Sequence, residues 1–259
     1  MAIPAVFIHY GDSGYFHTVV KQAERHAEVS VLGNNPLCTF NDPCIMGGVD
    51  RLRNAYEHLS TNGYEVEFYC MARWLMLRNW MQFTDTPVCL HLDSDVMLYA
   101  NPDEAWPRYD QFSHTLIHGC SGSSSFWTIE GLSNFCSFMT DLYEDKKSYD
   151  YNKVASHYQV RQRHGLPGGV CDMTLLQHHA YKNFGQVGEM MHVLDGATWD
   201  HNINEADQGY DMQGGHKKFE FKNGHPYVRL KNWVSDRIVR FECLHFQGPA
   251  KSLIQGAVC

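Results

Sequence analysis

The sequence is short of the features that most readily give a chain away. It has no CxxC pair, no internal repeat and no low-complexity tract. No apolar run approaches the ~20 residues that a membrane span needs, so no span is expected. Charged residues make up only 19%, and the positive ones are the minority, 21 against 29, for a formal net charge of -8. That balance argues against a nucleic-acid polymer as partner, because a protein that displaces phosphate counterions carries a basic face. The nine cysteines are odd in number and irregularly spaced in a chain of 259 residues. They read as reduced thiols, many of them simply small apolar residues. The opening Met1-Ala2-Ile3-Pro4-Ala5-Val6-Phe7-Ile8 lacks a basic leader region and runs straight into a strand pattern, so a cytoplasmic location is expected.

What is present is a globular chain, 44% apolar and rich in aromatics, of a length that one core still serves. One domain is expected. Residues 3 to 9 form a continuous apolar run closed by Gly11-Asp12-Ser13-Gly14, which predicts a buried strand and a turn. Residues 16 to 26 predict a helix, and residues 28 to 32 a second strand ending at Gly33-Asn34-Asn35-Pro36. Apolar residues at helical spacing over 64 to 81, interrupted by Arg73 and Arg78, precede a third strand at 87 to 92. This βαβ opening predicts an α/β sheet with parallel strands, whose ligands gather where strand C-termini meet loops. Tyr10-Gly11-Asp12, Gly33-Asn34 and Asp93-Ser94-Asp95 would then share one edge. Further helices are expected at 130 to 143 and 172 to 181. Antiparallel strands are expected at 217 to 222 and 228 to 230, and residues 241 to 244 lead into His245.

The run Leu90-His91-Leu92-Asp93-Ser94-Asp95-Val96-Met97-Leu98 sets two carboxylates two residues apart within an apolar stretch. In an extended segment such side chains point the same way, so Asp93 and Asp95 would converge on one ion. Like charges so placed repel each other and need a positive partner. Hard oxygen ligands suit Mn²⁺ or Mg²⁺, and a diphosphate would fill the remaining positions. The plain alternative is a solvated turn.

This segment resembles the DxD motif of glycosyltransferases of the GT-A type. Far along the chain, His245-Phe246-Gln247-Gly248-Pro249-Ala250-Lys251 is similar to the HxxGxxK segment of the family 8 enzymes, the glycogenin-like and lipopolysaccharide galactosyltransferase-like group. That family often continues Lys-Pro-Trp, where this chain has Lys251-Ser252-Leu253. The resemblance implies a Rossmann-like mixed sheet flanked by helices. Residues 1 to about 110 would bind the nucleotide, and residues from about 111 to 259 would form the acceptor side and the C-terminal metal-ligand segment. It implies Asp93, Asp95 and His245 as metal ligands, Ser94 at the donor site, a Gly248 backbone close to the diphosphate, and Lys251 on the departing phosphate. The chemistry is sound in its own right, since neutral imidazole ligates borderline ions and an ammonium stabilises a leaving group's growing charge. A retaining transfer from a nucleotide-sugar, a UDP-hexose by default, to a saccharide or other hydroxyl acceptor follows from the resemblance.

Other positions carry weaker signals. Similar enzymes keep an arginine where Arg73 stands, to contact the donor or brace the acids, whereas Arg78 fits an exposed helix position. Asp172 opens a helix after Gly168-Gly169 and serves either as its N-cap or, by resemblance, as a group facing the donor sugar; with Lys251 it is the catalytic candidate, and the first candidate base if transfer inverts. Tyr10, Gly11 and Asp12 fit the base and ribose, or an ordinary βα turn. Ser121, Ser123, Ser124 and Ser125 fit sugar hydroxyls or a flexible loop. Asp195, Asp200, His201 and Asn202, around Trp199, fit a loop that meets the acceptor. Two other functions compete: a metal-dependent phosphoester or nucleotide-sugar hydrolase, for which two-metal ligands are too few, and a non-catalytic carbohydrate-binding protein.

Overall fold

The computed structural model describes residues 2–258. Along the chain run β1 (Ala5–His9), α1 (Phe16–Ala23), β2 (Val29–Gly33), α2 (Val49–Ala55), α3 (Tyr64–Phe83), β3 (Val88–Leu92) and β4 (Val96–Leu98). Next come α4 (Pro102–Ala105), β5 (His114–Leu116), β6 (Ser124–Thr128), α5 (Ile129–Glu144), α6 (Tyr149–Arg163), α7 (Asp172–Lys182) and β7 (Val187–Glu189). The last part is mostly sheet: β8 (Ala197–Thr198), β9 (Met212–Gln213), β10 (His216–Lys217), β11 (Phe219–Lys222), β12 (His225–Lys231), β13 (Asp236–Phe241) and β14 (Cys243–His245), followed by a 3₁₀ segment, Gly248–Ala257.

The fold is α/β, with a central sheet of order β2-β1-β3-β6-β5-β7. The first three strands are parallel, as the βαβ pattern predicts. The sheet as a whole is mixed, because β6 runs antiparallel to both β3 and β5. Alternation along the strands explains the layering: Ala5 and Phe7 of β1, Leu90 and Leu92 of β3 and Phe126 of β6 enter one core, while Val6, Cys89 and Trp127 enter the other. A sheet buried on both faces needs covers on both. One cover is helical, drawn from α2, α3, α5 and α7. The other combines α1, β4 and a C-terminal sheet of order β11-β12-β13-β8.

Helix α3 lies under the sheet and is buried around most of its circumference, with Phe68, Met71, Trp74, Leu75, Leu77 and Trp80 all inside. Any charge on its sheet side therefore needs a partner close by. Strand β14 pairs antiparallel with β4, His245 opposite Val96, and the Phe246 N–H donates to the Asp95 carbonyl at 2.9 Å. This pairing brings the late chain to the Asp93–Asp95 segment. The 3₁₀ segment beyond it is held by Ile254 and Ala257, both fully buried, and by the Tyr99 hydroxyl donating to the Ala257 carbonyl at 2.7 Å. Burial of a side chain such as Ile254 contributes about 1.5–3 kcal/mol, enough to fix where the segment's polar residues sit. Among the described residues no helix is long and apolar enough to cross a membrane.

Candidate functional site

Asp93, Ser94 and Asp95 do not lie in an extended strand, contrary to the sequence expectation. They form a tight turn between β3 and β4, closed by the Val96 N–H donating to the Asp93 carbonyl at 3.0 Å. The Asp93 N–H is anchored separately to the Ser123 carbonyl at 2.7 Å. Convergence of the two acids thus comes from a turn rather than from strand alternation, and the carboxylates are held from opposite sides.

On the helical side, Arg73 of α3 forks between two acids. One guanidinium nitrogen donates to Asp93 Oδ1 at 2.6 Å and another to Asp172 Oδ2 at 2.7 Å. The Trp74 indole also donates to Asp172 Oδ2, at 3.1 Å, and the Met173 N–H donates to Oδ1 at 2.9 Å. The Asp172 carboxylate is therefore fully engaged at 4% exposure. It is the first residue of α7 and not its N-cap, a position taken by Cys171. Gly122 completes this side: a Cβ there would come within 2.5 Å of the Trp74 ring, so only glycine lets Trp74 pack against the segment that leads into β6. Nothing in the sequence flagged Trp74 or Gly122.

On the C-terminal side, His245 Nε2 lies 3.3 Å from Asp95 Oδ1, and Lys251 Nζ lies 3.2 Å from Asp95 Oδ2. His245 Nδ1 is 2.6 Å from the His201 carbonyl oxygen, which only accepts, so Nδ1 carries the proton and Nε2 is the nitrogen that faces the acids. The His245 N–H donates to Asp200 Oδ2 at 2.9 Å. Ring and backbone are both fixed, which is what orients a metal-binding histidine. Oxygens of Asp93 and Asp95 and a nitrogen of His245 lie within 4.8 Å of one another. This mixed O/O/N set fits a divalent cation with positions left for other ligands.

The charges are matched. Burial pushes the Asp93 carboxyl up, but Arg73, with His91 and His245, outweighs it and holds the group below the usual range. Burial lowers His245, yet the Asp95 hydrogen bond and the two acidic charges leave its imidazole raised. Lys251 is lowered by burial and raised more strongly by Asp95, so it stays an ammonium. Gly248 has φ +58, and a Cβ there would meet nothing within 4 Å, so the backbone conformation itself is what favours glycine.

Other sequence candidates are less simply placed. The Tyr10 ring rests against Tyr69, centroids 4.6 Å apart, and its hydroxyl donates to the Met76 sulfur at 2.9 Å. Gly11, with φ +80, donates its N–H to Asn34 Oδ1 at 2.8 Å and accepts from Asn35 Nδ2. The loops after β1 and β2 are thereby tied together, and Asp12 stands exposed beside them. Asn35 is a contact that the sequence did not single out. Arg78 is half-buried rather than exposed, and among the described residues its guanidinium bonds its neighbour Asn79.

Ser121 to Ser125 are not a flexible loop. All four serines are buried, and Ser124 and Ser125 belong to β6. Asp200 does not face an open acceptor site either, since its side chain is fully buried against Lys217 at 2.7 Å. Trp199 is buried beside it.

No protein-family model matches the chain, and no curated protein matches it. Solved structures do. One is a glycosyltransferase involved in the glycosylation of the major capsid of PBCV-1, similar over 73% of this chain and 81% of its own, with 12% identity and a TM-score of 0.38. Another is mouse xyloside xylosyltransferase 1 in its apo form, similar over 84% of this chain and 95% of its own, with 12% identity and a TM-score of 0.43.

Proposed function

We propose that this chain is a metal-dependent, retaining glycosyltransferase that takes a hexose from a nucleotide-sugar, UDP being the first nucleotide to test, and passes it to a hydroxyl of a saccharide or other acceptor. The observation that carries the reading is the meeting of Asp93, Asp95 and His245 within 4.8 Å, with Lys251 3.2 Å from Asp95. Two motifs from distant parts of the chain form one site, and each motif resembles its counterpart in such enzymes.

In this reading Asp93, Asp95 and His245 hold Mn²⁺ or Mg²⁺, with Ser94 in the turn beside the donor. The bound cation supplies neutralisation of the diphosphate's charge. Lys251 adds an ammonium placed in advance where leaving-group charge grows, which favours the transition state over the ground state. The Gly248 backbone approaches the diphosphate, and the tied loops carrying Tyr10, Gly11 and Asp12 receive base and ribose. Arg73 keeps Asp93 ionised and fixed. Asp172 presents the α7 start toward the sugar.

Double displacement needs a carboxylate free to attack the anomeric carbon. Asp172 accepts from Arg73, Trp74 and its own helix, which leaves it a poor nucleophile. A front-face transfer suits the arrangement better: the acceptor hydroxyl attacks on the face the diphosphate leaves, and a departing phosphate oxygen takes its proton.

The deciding experiment is calorimetric binding of UDP and of GDP, with Mn²⁺ supplied or chelated, to the native chain and to Asp95→Ala. Metal-dependent binding of one nucleotide, lost in the variant, is the expected result. Failure of both nucleotides to bind under every condition would overturn the donor site. With a donor in hand, an inverted anomeric configuration in the product would remove the retaining mechanism and leave Asp172 as the base to test.

A further inference from the structure

A second constellation lies behind His245, separate from the Asp93–Asp95 turn. Lys217 is completely buried, and its ammonium donates to Asp200 Oδ1 at 2.7 Å, to Asp207 Oδ2 at 2.6 Å and to the Asn202 carbonyl at 2.6 Å. The Asp200 and Asp207 side chains are 0% and 5% exposed. Two buried carboxylates thus share one buried ammonium, and a net negative charge remains where desolvation makes it costly. Asp207 turns its other oxygen, Oδ1, toward His201 Nδ1 at 3.5 Å, and Glu205 Oε2 lies 3.7 Å from the same nitrogen. His201 Nδ1 is itself buried and, among the described residues, forms no hydrogen bond of ordinary geometry.

A charge-assisted hydrogen bond from a ring nitrogen to a carboxylate runs about 2.7–2.9 Å, so neither contact is a tight one. Both lie near the spacing of about 3.4 Å that donors keep around a tetrahedral ion with bonds of about 2.1 Å, and one imidazole with two carboxylates is a donor set that zinc accepts. Glu205 and Asp207 also line a cavity of about 600 Å³ with room for a fourth, non-protein ligand.

We propose that His201, Glu205 and Asp207 form a second divalent-cation site, of zinc type, that stabilises the segment carrying His245's partners. The link is short. His201 offers its carbonyl to His245 Nδ1, and Asp207 connects through Lys217 to Asp200, which accepts the His245 N–H. A cation there offsets the leftover buried charge and fixes residues 200 to 207. The site is independent of the sugar-transfer reading, and its failure would leave that reading untouched.

The test is calorimetric titration with Zn²⁺ alone, using this chain with Asp95→Asn so that the first site cannot dominate. One equivalent is expected to bind, with a rise in Tm at saturation. Adding His201→Gln or Glu205→Gln should weaken that equivalent at least tenfold. Glu205 is mostly exposed, so its variant tests the site without endangering the fold. A flat titration of Asp95→Asn, as an imidazolium resting between two acids would give, overturns the proposal. So does an equivalent indifferent to both added substitutions.

Discussion

The two acids of the turn are two residues apart and of one residue type, yet they are held in opposite ways. Asp93 faces the helical layer and is gripped by Arg73, whose second arm holds the deeply buried Asp172. Asp95 faces the C-terminal layer and meets His245 and Lys251 at 3.3 and 3.2 Å, contacts loose enough to be replaced. The first arrangement is a brace, in which a planar guanidinium bridges two carboxylates with short charge-assisted bonds. The second is a working face, where a histidine can exchange a proton for a cation. The lesson is that sequence adjacency assigns neither role. The turn does, by directing consecutive acids into different layers.

Breaking the brace should have the largest effect. Arg73→Met removes the one counter-charge that Asp172 has among the described residues, and a buried pair that loses one partner costs about 3–5 kcal/mol. Urea unfolding is expected to show a loss of that order together with loss of metal-dependent nucleotide binding; a drop below about 1 kcal/mol would show that the brace is dispensable. Arg73→Lys should recover only part, since an ammonium cannot reproduce the fork.

Breaking the working face should do the reverse. Lys251→Ala should lower kcat about 10²- to 10³-fold, the usual cost of removing one preorganised charge-stabilising group. Its side chain is 38% exposed, so stability should move by no more than about 0.5 kcal/mol. A large Tm shift in this variant, or an unchanged kcat, would erase the distinction between the two sides. Asp172→Asn falls between them. The amide keeps an acceptor for Arg73 but drops the charge, so a loss of about 1–3 kcal/mol is expected in the same unfolding assay.

Much of this was legible in the sequence for a definite reason. Strands β1, β2 and β3 and helix α3 carry strong local patterns, and the structure puts each within a few residues of its expected place. Asp93, Asp95 and His245 could be grouped because two short motifs occur in the right order. Arg73 is expected as a companion to the acids, and it bonds Asp93 at 2.6 Å.

What escaped depends on contacts across the chain. Helix α6 was missed because only Tyr151 and Val154 are buried along it, too few to mark an apolar stripe. Ser121 to Ser125 read as a loop because the pairing of β6 with β3, which includes Ser124 and Ser125, is non-local. The turn at Asp93 reads as strand because a run of apolar neighbours cannot report an i to i+3 hydrogen bond. The Lys217 cluster escapes because both its acids lie in the irregular segment between β8 and β9, and a lysine in an alternating strand reads as a solvated charge.

Acid and base titration sharpens the contrast with the smallest perturbation, since no side chain is changed. In the metal-free protein the His245 pKa is raised above its ordinary value of 6.5, so the stability this gives is fully present below that value and is lost as pH rises through the folded-state pKa. Asp93 is held below its ordinary 3.8, so its contribution is present above that value and disappears as pH falls through the lowered pKa. The two sides should therefore weaken at opposite ends of the pH scale. Because a ligating imidazole must be neutral, a cation entering the site displaces the His245 proton. Mn²⁺ affinity should rise up to about tenfold per pH unit below the raised pKa and level off above it. Calorimetry in buffers of different ionisation enthalpy should show close to one proton released per Mn²⁺ on the rising limb. Affinity independent of pH there, with no proton released, would mean that His245 is not exchanging its proton for the metal, and Asp95 would lose its standing as the working acid of the pair.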